Sequence, residues 1–462
     1  MRKHRLFGWE AQARPSGTFR PTIALRLGIA SGLLGAMMVS QVVLADGNAS
    51  AASASVGAGA TCSGSTGSGS PGVTSKNINV AAVSTQTGAL AANFDAFVPG
   101  VRAYFQYINA LGGVNGRTLS LAYSLDDGSN PSEFSQLTHT AIDQDHAFAV
   151  MIASPFFAPN YYVETCTPAY GYNVTANWAD EANLFAAGGS TLYNPQVATQ
   201  VAYLMRQEHV KSFATLAYNV SESSGVCSDV NTYLAKAGFT QAYTDLNVSY
   251  GGNVTPDVQR LRNSGAQMVV SCMTVTQNVQ LAQAIKSYGI KTKQYWLNGS
   301  DQGVLNQYQG VMQGVYFGVQ HVPFTANTKY YPGIKTYLTA MNKYAPKYTY
   351  DELSIQGWAS AALFAEGVKL AGSNLTQANL IKQTNLLTSY TAGDIYAVAN
   401  WTKAHSAENP PFCDAYIQVQ GKKYVSVFGK GHQAYVCFNI NKSNPTPTNT
   451  TPVAAPAGTP GT

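Results

Sequence analysis

Charge is what this sequence has least of. Only 11% of its 462 residues are Asp, Glu, Lys or Arg, less than half the usual share in a globular chain. With so few ions, the surface has to be made polar by Asn, Gln, Ser, Thr and Tyr, and Tyr alone occurs 28 times. Such a surface suits an exported protein. The formal charge of +5 is concentrated at the start, where residues 1–26 hold Arg2, Lys3, Arg5, Arg14, Arg20 and Arg26 against Glu10. The remainder is close to neutral and offers no electrostatic footprint for a nucleic acid.

Catalytic signatures are missing as well. There is no Gly-x-Ser-x-Gly elbow to expose a nucleophile, no Gly-x-x-x-x-Gly-Lys-Ser/Thr loop to cradle phosphates, and no His-Glu-x-x-His pair to hold zinc. The seven histidines are scattered and no Cys-x-x-Cys occurs, so neither a metal nor another cofactor is expected. The Gly-rich run from Gly64 to Gly72 joins no strand to a helix and reads as linker. Asp126-Asp127 are neighbours at a strand end and point apart, which fits turn formation better than a catalytic pair. Asp180-Glu181 likewise reads as capping or solvated surface. Nothing assembles an acid, a base and a nucleophile. A binding protein is therefore the expectation and an enzyme is not; a secreted α/β enzyme has no identifiable constellation here.

What is present falls into a clear order. Residues 1–45 have a basic start, an apolar run from Leu27 to Leu44, and Val43-Leu44-Ala45 before Asp46. Small residues at that point predict export with cleavage near Ala45. The run approaches spanning length, but Ser31, Ser40 and Gln41 interrupt it, which disfavours an uncleaved anchor. Residues 46–76 are mostly Ala, Gly and Ser, too poor in apolar area to fold, and read as a flexible linker. Cys62 lies well beyond the apolar run, so a lipid anchor is not expected. From Asn77 strand and helix alternate, which predicts α/β architecture with mostly parallel sheets covered by helices on both faces. Strands are predicted at 78–83, 119–125, 148–153, 213–218, 268–272, 295–297 and 315–319. Three helices follow at 327–345, 351–371 and 376–386, then a hairpin at 413–428. Two α/β halves followed by this return predict two lobes, 77–193 plus 324–405 and 194–323 plus 406–440, with the chain crossing between them three times. Residues 441–462 are rich in Pro, Thr and Ala and read as a disordered tail.

Six cysteines in an exported chain predict disulfides. Fifteen pairings are possible. Cys413 and Cys437 flank the late hairpin, and Cys227 and Cys272 both lie near strand carboxyl ends of the second half, which leaves Cys62 with Cys166.

The most diagnostic block is 107–128, Tyr-Ile-Asn-Ala-Leu-Gly-Gly-Val-Asn-Gly-Arg and onward to Asp-Asp-Gly. Phe94, Phe97, Val98, Val101, Tyr104, Phe105, Ile108 and Leu111 recur at helical spacing, and Gly112-Gly113 then stops the helix. Asn115-Gly116 turns the chain, and Leu119, Leu121, Tyr123 and Leu125 alternate as in a strand. With Val83-Ser84-Thr85-Gln86-Thr87-Gly88, Asp145 to Val150, Met268 to Cys272 and Gly393-Asp394, this block resembles the type I periplasmic solute-binding proteins, in particular the leucine/isoleucine/valine-binding branch of ABC importers.

That resemblance, spanning about 77–440, implies a two-lobed Venus-flytrap clamp: an extracytoplasmic, periplasmic or secreted, monomeric subunit that captures a small solute and docks on a membrane permease. The alternative it leaves open is a ligand-sensing receptor of the same fold. By position in the family, first-lobe contacts fall on Ser154 and Phe156 and on Thr175, Asn177 and Trp178, with Gln86 nearby. Second-lobe contacts fall on Ser224, Thr274 and Asp301. Asp301 is equally placed to cap the following helix. The run Ser154-Pro155-Phe156-Phe157 departs from the hydroxyl-rich loop of amino-acid binders. The expected solute therefore widens from an amino acid to an amide or an aromatic or apolar organic acid.

Overall fold

The strand and helix alternation resolves into two sheets. The structure, a computed structural model, describes residues 69–190, 194–406, 411–440 and 450–461. The segment expected to direct export, most of the linker and Cys62 lie outside the described residues.

The first sheet is built from β1 (Asn77–Ser84), α1 (Phe97–Ala110), β2 (Thr118–Asp126), α2 (Pro131–His139), β3 (Val150–Ala153), α3 (Asn160–Thr165), β4 (Ala169–Gly171) and β5 (Leu184–Ala186). Its five strands run in the order β2-β1-β3-β4-β5, all parallel. Parallel neighbours require crossovers, and α1 and α2 supply the first two. Both faces are buried from Val80 onward, so β1 carries an unbroken apolar run from Val80 to Val83. Ile78, Val80 and Ala82 face α1 with Phe97, Val101 and Phe105. Ala81 and Val83 face the opposite side with Phe134, Phe157 and Tyr162.

The second sheet comes from α4 (Asn194–Gln207), β6 (Ser212–Tyr218), α5 (Ser221–Lys236), β7 (Thr240–Val248), α6 (Thr255–Ser264), β8 (Met268–Ser271), α7 (Val275–Ser287), β9 (Lys293–Trp296), α8 (Gln302–Met312) and β10 (Tyr316–Val319). The chain then adds α9 (Pro332–Tyr344), α10 (Glu352–Ala371) and α11 (Gln377–Thr384) before β11 (Phe412–Gln420), β12 (Lys423–Val427) and β13 (Tyr435–Phe438). The order is β12-β11-β10-β9-β8-β6-β7. Strands β6 to β10 pair parallel, while β11 runs antiparallel to β10, β12 and β13. The architecture is thus the predicted two-lobed α/β fold with parallel-sheet cores.

The long helix α10 leaves the second sheet behind and packs on α1, β3 and β4 of the first. The approach is close because glycines meet backbone: a Cβ on Gly357 would overlap the Phe97 carbonyl oxygen, and one on Gly100 would overlap that of Ser354. α10 starts with a capping box in which Asp351 accepts from the Ser354 N–H at 2.7 Å and the Ser354 hydroxyl accepts from the Asp351 N–H at 2.9 Å.

Several elements depart from the sequence pattern. α3, β4, β5, β7 and β13 escape it. β4 and β5 have three residues each, too few to show a period. β7 is an edge strand with little buried surface, so its pattern is mixed. α9 begins only at Pro332, which fits the first helical turn because it has no N–H to lose. Two expected flexible segments are ordered in part. In the linker, Ser70 donates to the Leu375 carbonyl at 2.6 Å and Gly72 accepts from the Asn79 N–H at 2.9 Å. In the tail, Val453 donates to the Cys437 carbonyl at 2.8 Å and Thr459 accepts from the Val398 N–H at 3.3 Å, so residues 450–461 lie along the protein and are not a disordered extension. Hydrogen bonds of backbone groups and of the Ser70 and Thr459 hydroxyls hold both segments, and composition does not reveal these.

Disulfides join Cys227 to Cys272 and Cys413 to Cys437, the latter across the β11–β13 ladder. Cys166 is not free; its expected pairing with Cys62 reaches outside the described residues.

Candidate functional site

Parallel strands leave their carboxyl ends and helix starts on one side of a sheet, and ligands of open α/β folds bind there. Between the two sheets at these ends lies a cavity of about 170 Å³. The first sheet contributes Tyr172, Asn173 and Val174, in the loop after β4, and Glu352 from α10. The second contributes Gln196 and Gln200 of α4, Cys272 after β8, Tyr295 and Asn298 around the end of β9, Gly318 and Gln320 around that of β10, and Phe412 and Asp414 of β11.

Each wall is fixed by specific bonds. The Tyr172 N–H donates to the Ile152 carbonyl at 2.9 Å, and the Asn173 amide donates to that of Gly189 at 3.2 Å. Gln200 is held twice, its Oε1 accepting from the Tyr295 hydroxyl at 3.0 Å and its carbonyl from the Tyr416 hydroxyl at 3.2 Å. Gly318 is needed beside this pair, because a Cβ there would lie 2.6 Å from the Tyr295 oxygen. Cys272 is anchored by its disulfide and by Ser223, whose hydroxyl donates to the Cys272 carbonyl at 2.7 Å. Asn298 donates to the Met273 carbonyl at 3.2 Å. Ser300 donates to Glu352 at 3.3 Å, and Tyr250 donates to the Ala89 carbonyl at 2.5 Å; both bonds pass from elements of the second sheet to elements of the first.

Asp414 is the unusual group. On β11, Cys413, Ala415 and Ile417 point into the main core, while Asp414 and Tyr416 take the face covered by α4. Asp414 is 1% exposed, and neither of its carboxyl oxygens meets a hydrogen-bond partner. Burial raises its pKa well above the usual carboxylate range, and the neighbouring Glu352 raises it further. Burial also pushes Glu352 up to about 7, against the hydrogen bond from Ser300, which works the other way. Behind Glu352 a smaller pocket holds Asp301 and Asp351. Asp351 is raised to about 8 by burial and then by Asp301 and Asp95. No Lys, Arg or His is among the described cavity-lining residues. Among the described residues no group of three or more His, Cys, Asp or Glu is arranged to hold a metal.

The residues expected to meet the ligand from the family resemblance lie around this cavity and not in its wall. Ser154 is fully buried and donates to Asp127. Phe157 is in the core, and Phe156 is partly buried against the same cluster. Trp178 is a correction: it is 0% exposed, stacked on Phe157 at 4.5 Å between ring centroids in the core of the first sheet. The Thr175 hydroxyl is buried without a partner, and Asn177 is exposed with its amide on the Phe157 carbonyl at 3.3 Å. Gln86 donates to the Leu125 carbonyl at 3.3 Å and accepts from Ser124. Ser224 bonds back to the Val220 carbonyl within its own helix start, and Thr274 pairs with the Tyr218 hydroxyl at 2.8 Å. Asp301 caps α8, accepting from the Gly303 and Val304 N–H groups, and lines the smaller pocket. The expected positions fall next to residues that line the cavity: Thr175 beside Val174, Thr274 near Cys272, Asp301 near Asn298. Sequence reasoning missed Glu352 and Asp414. An acid inside the apolar strand Phe-Cys-Asp-Ala-Tyr-Ile was the available signal for Asp414, since a buried carboxylate needs a reason.

Comparison with known proteins follows the same geometry. The sequence profile of the periplasmic binding protein family matches residues 77–419. Among solved structures, a fatty acid ABC transporter substrate-binding protein from Thermomonospora curvata superposes with a TM-score of 0.68 at 18% identity, over 87% of this chain and 100% of that one. A branched-chain amino acid ABC transporter protein from Thermus thermophilus with bound valine gives 0.66 at 14% identity, over 77% and 96%. A leucine-binding protein from Thermotoga maritima gives 0.62 at 12% identity, over 79% and 99%. At these identities the likeness is one of fold. No match is found among the curated proteins.

Proposed function

Because the chain belongs to the periplasmic binding protein family, we propose that it is the extracytoplasmic substrate-binding subunit of an ABC importer. It captures a small organic solute between its lobes and does not transform it. The observation that carries this reading is the cavity itself, which sits at strand carboxyl ends and takes its walls from both sheets. A solute touching both walls favours the closed arrangement, because it gains contacts there that the open one lacks. Ser300–Glu352 and Tyr250–Ala89 would part on opening. The lobes are taken as 77–193 with 324–405 and 194–323 with 406–440. Cleavage near Ala45 would release the chain outside the cytoplasm, where oxidising conditions keep its disulfides closed. Among the described residues no helix is long and apolar enough to cross a membrane. A membrane permease would be the partner of the closed monomer.

The test is mass spectrometry of solute released on denaturing the purified protein, followed by a thermal-shift panel of small organic solutes. A ligand held at 100 times its Kd should add about 2.7 kcal/mol of stability by mass action. Absence of both a released solute and any shift would remove the basis of the proposal.

A further inference from the structure

We infer that the interlobe cavity selects an organic cation, a primary amine or a guanidine, held by Asp414 and Glu352, and that it rejects carboxylates. The inference rests on the solute-binding reading above and names the class of solute.

The argument starts from Asp414. Buried polar groups in folded proteins have partners, and one without is a demand for a donor. Asp414 is 1% exposed, opens onto the cavity, and finds no donor for either oxygen. Glu352 faces the same space from the opposite lobe with one bond, from Ser300. A ligand bringing several N–H groups and a positive charge would satisfy both acids, and would do so across the cleft that must close. The lining offers no Lys, Arg or His to receive an anion. A carboxylate would find no cation there to offset the cost of leaving water. Tyr172, Tyr295 and Phe412 supply the aromatic part of the wall, beside neutral amides such as Gln200 and Asn298, and aromatic faces attract ammonium and guanidinium groups as well as apolar bodies. The raised pKa values of the two acids have the same cause, carboxyls drawn largely out of water without a counter-charge. The same lining sets aside the organic acids that remained open on sequence grounds.

The test is calorimetric titration of the purified, gel-filtered protein at pH 7.5 with phenethylamine, agmatine and putrescine, against phenylacetate, octanoate and valine. At least one cation is expected to bind. Asp414→Asn should weaken that binding at least tenfold, and Glu352→Gln should weaken it too. Each variant's unliganded melting curve confirms that it is folded, and either variant alone suffices for the reading. If phenylacetate, octanoate or valine binds while all three cations fail, the cation inference is overturned and the solute-binding reading stands. The same holds if a cation binds with equal affinity to the wild type and both variants. If nothing binds and no solute is released on denaturation, both fall together.

Discussion

The Ser154 hydroxyl donates to Asp127 over 2.6 Å, and both residues are fully buried. Thr85 donates to the same oxygen at 2.9 Å, while the other oxygen accepts from the Ser129 N–H at 2.9 Å. Asp127 thus ties the ends of β1, β2 and β3 together, and the hydroxyl available to a ligand on family grounds is already committed. Ser154→Ala should therefore lower stability by about 1–3 kcal/mol, the cost of leaving a buried acceptor short of a donor, without changing solute affinity. Urea denaturation beside calorimetry checks this; a large affinity loss at unchanged stability would return Ser154 to the binding site.

Trp178 makes the same point with a larger side chain. It is enclosed by the core around Phe157, and its ring closes on Gly171, where a Cβ would lie 2.8 Å away. Trp178→Ala should cost about 3–5 kcal/mol through the cavity it leaves. Solute binding, measured where the variant remains folded, should be nearly unchanged.

The α1–α10 crossing is set by Gly357 and Gly100, each lying under a carbonyl of the other helix. Gly357→Ala would force the helices apart and should destabilise by about 1–3 kcal/mol or more through overpacking. On an exposed helix face the same change would be stabilising, so a gain in melting temperature would show that the helices can move apart freely.

How much of this was legible in the sequence depended on where the signal lay. β1 and β2 were, because one is buried on both faces and the other alternates over nine residues. The cap at Asp301 follows from local chemistry. The cavity wall was not legible, because it is assembled from residues more than 200 positions apart, such as Tyr172 and Asp414, through the return of α10 to the first sheet. Family position led to hydroxyls that serve the scaffold here.

Two histidines set an acid limit. His321 and His405 are fully buried, which lowers their pKa values to about 4 and about 3. His405 Nε2 donates to Asn385 Oδ1 at 2.6 Å, since the Asn385 amide nitrogen is itself a donor to the Ala182 and Ile381 carbonyls. The unfolded chain takes up protons near pH 6.5 and the folded one does not, so stability falls as pH drops below that value. The slope is about 1.4 kcal/mol per pH unit for each group. His405→Gln, which keeps a donor for Asn385, should flatten the curve between pH 6 and 4.5 by that slope. Parallel curves for wild type and variant would show that His405 titrates as freely folded as unfolded.

Glu352 acts with the opposite sign. Its pKa rises from 4.5 to about 7 on folding because it leaves water for the cleft. Here the folded state holds the proton more tightly, so the group costs nothing below pH 4.5. The cost grows as pH rises through the interval and is complete above about pH 7. The side chain keeps some exposure toward the cavity, which screens the effect, and about 1–2 kcal/mol is expected in place of the larger value that 1.36 kcal/mol per unit gives. Glu352→Gln should therefore match the wild type near pH 4 and become more stable than it by that amount at pH 8. Asp414, Tyr172, Tyr295 and Tyr396 sense the Glu352 charge from β11, the β4 loop, β9 and the segment after α11. The variant should accordingly make Asp414 easier to ionise. Urea denaturation of both proteins from pH 4 to pH 8 decides it: a constant difference across that range would mean that Glu352 keeps its ordinary pKa in the folded protein.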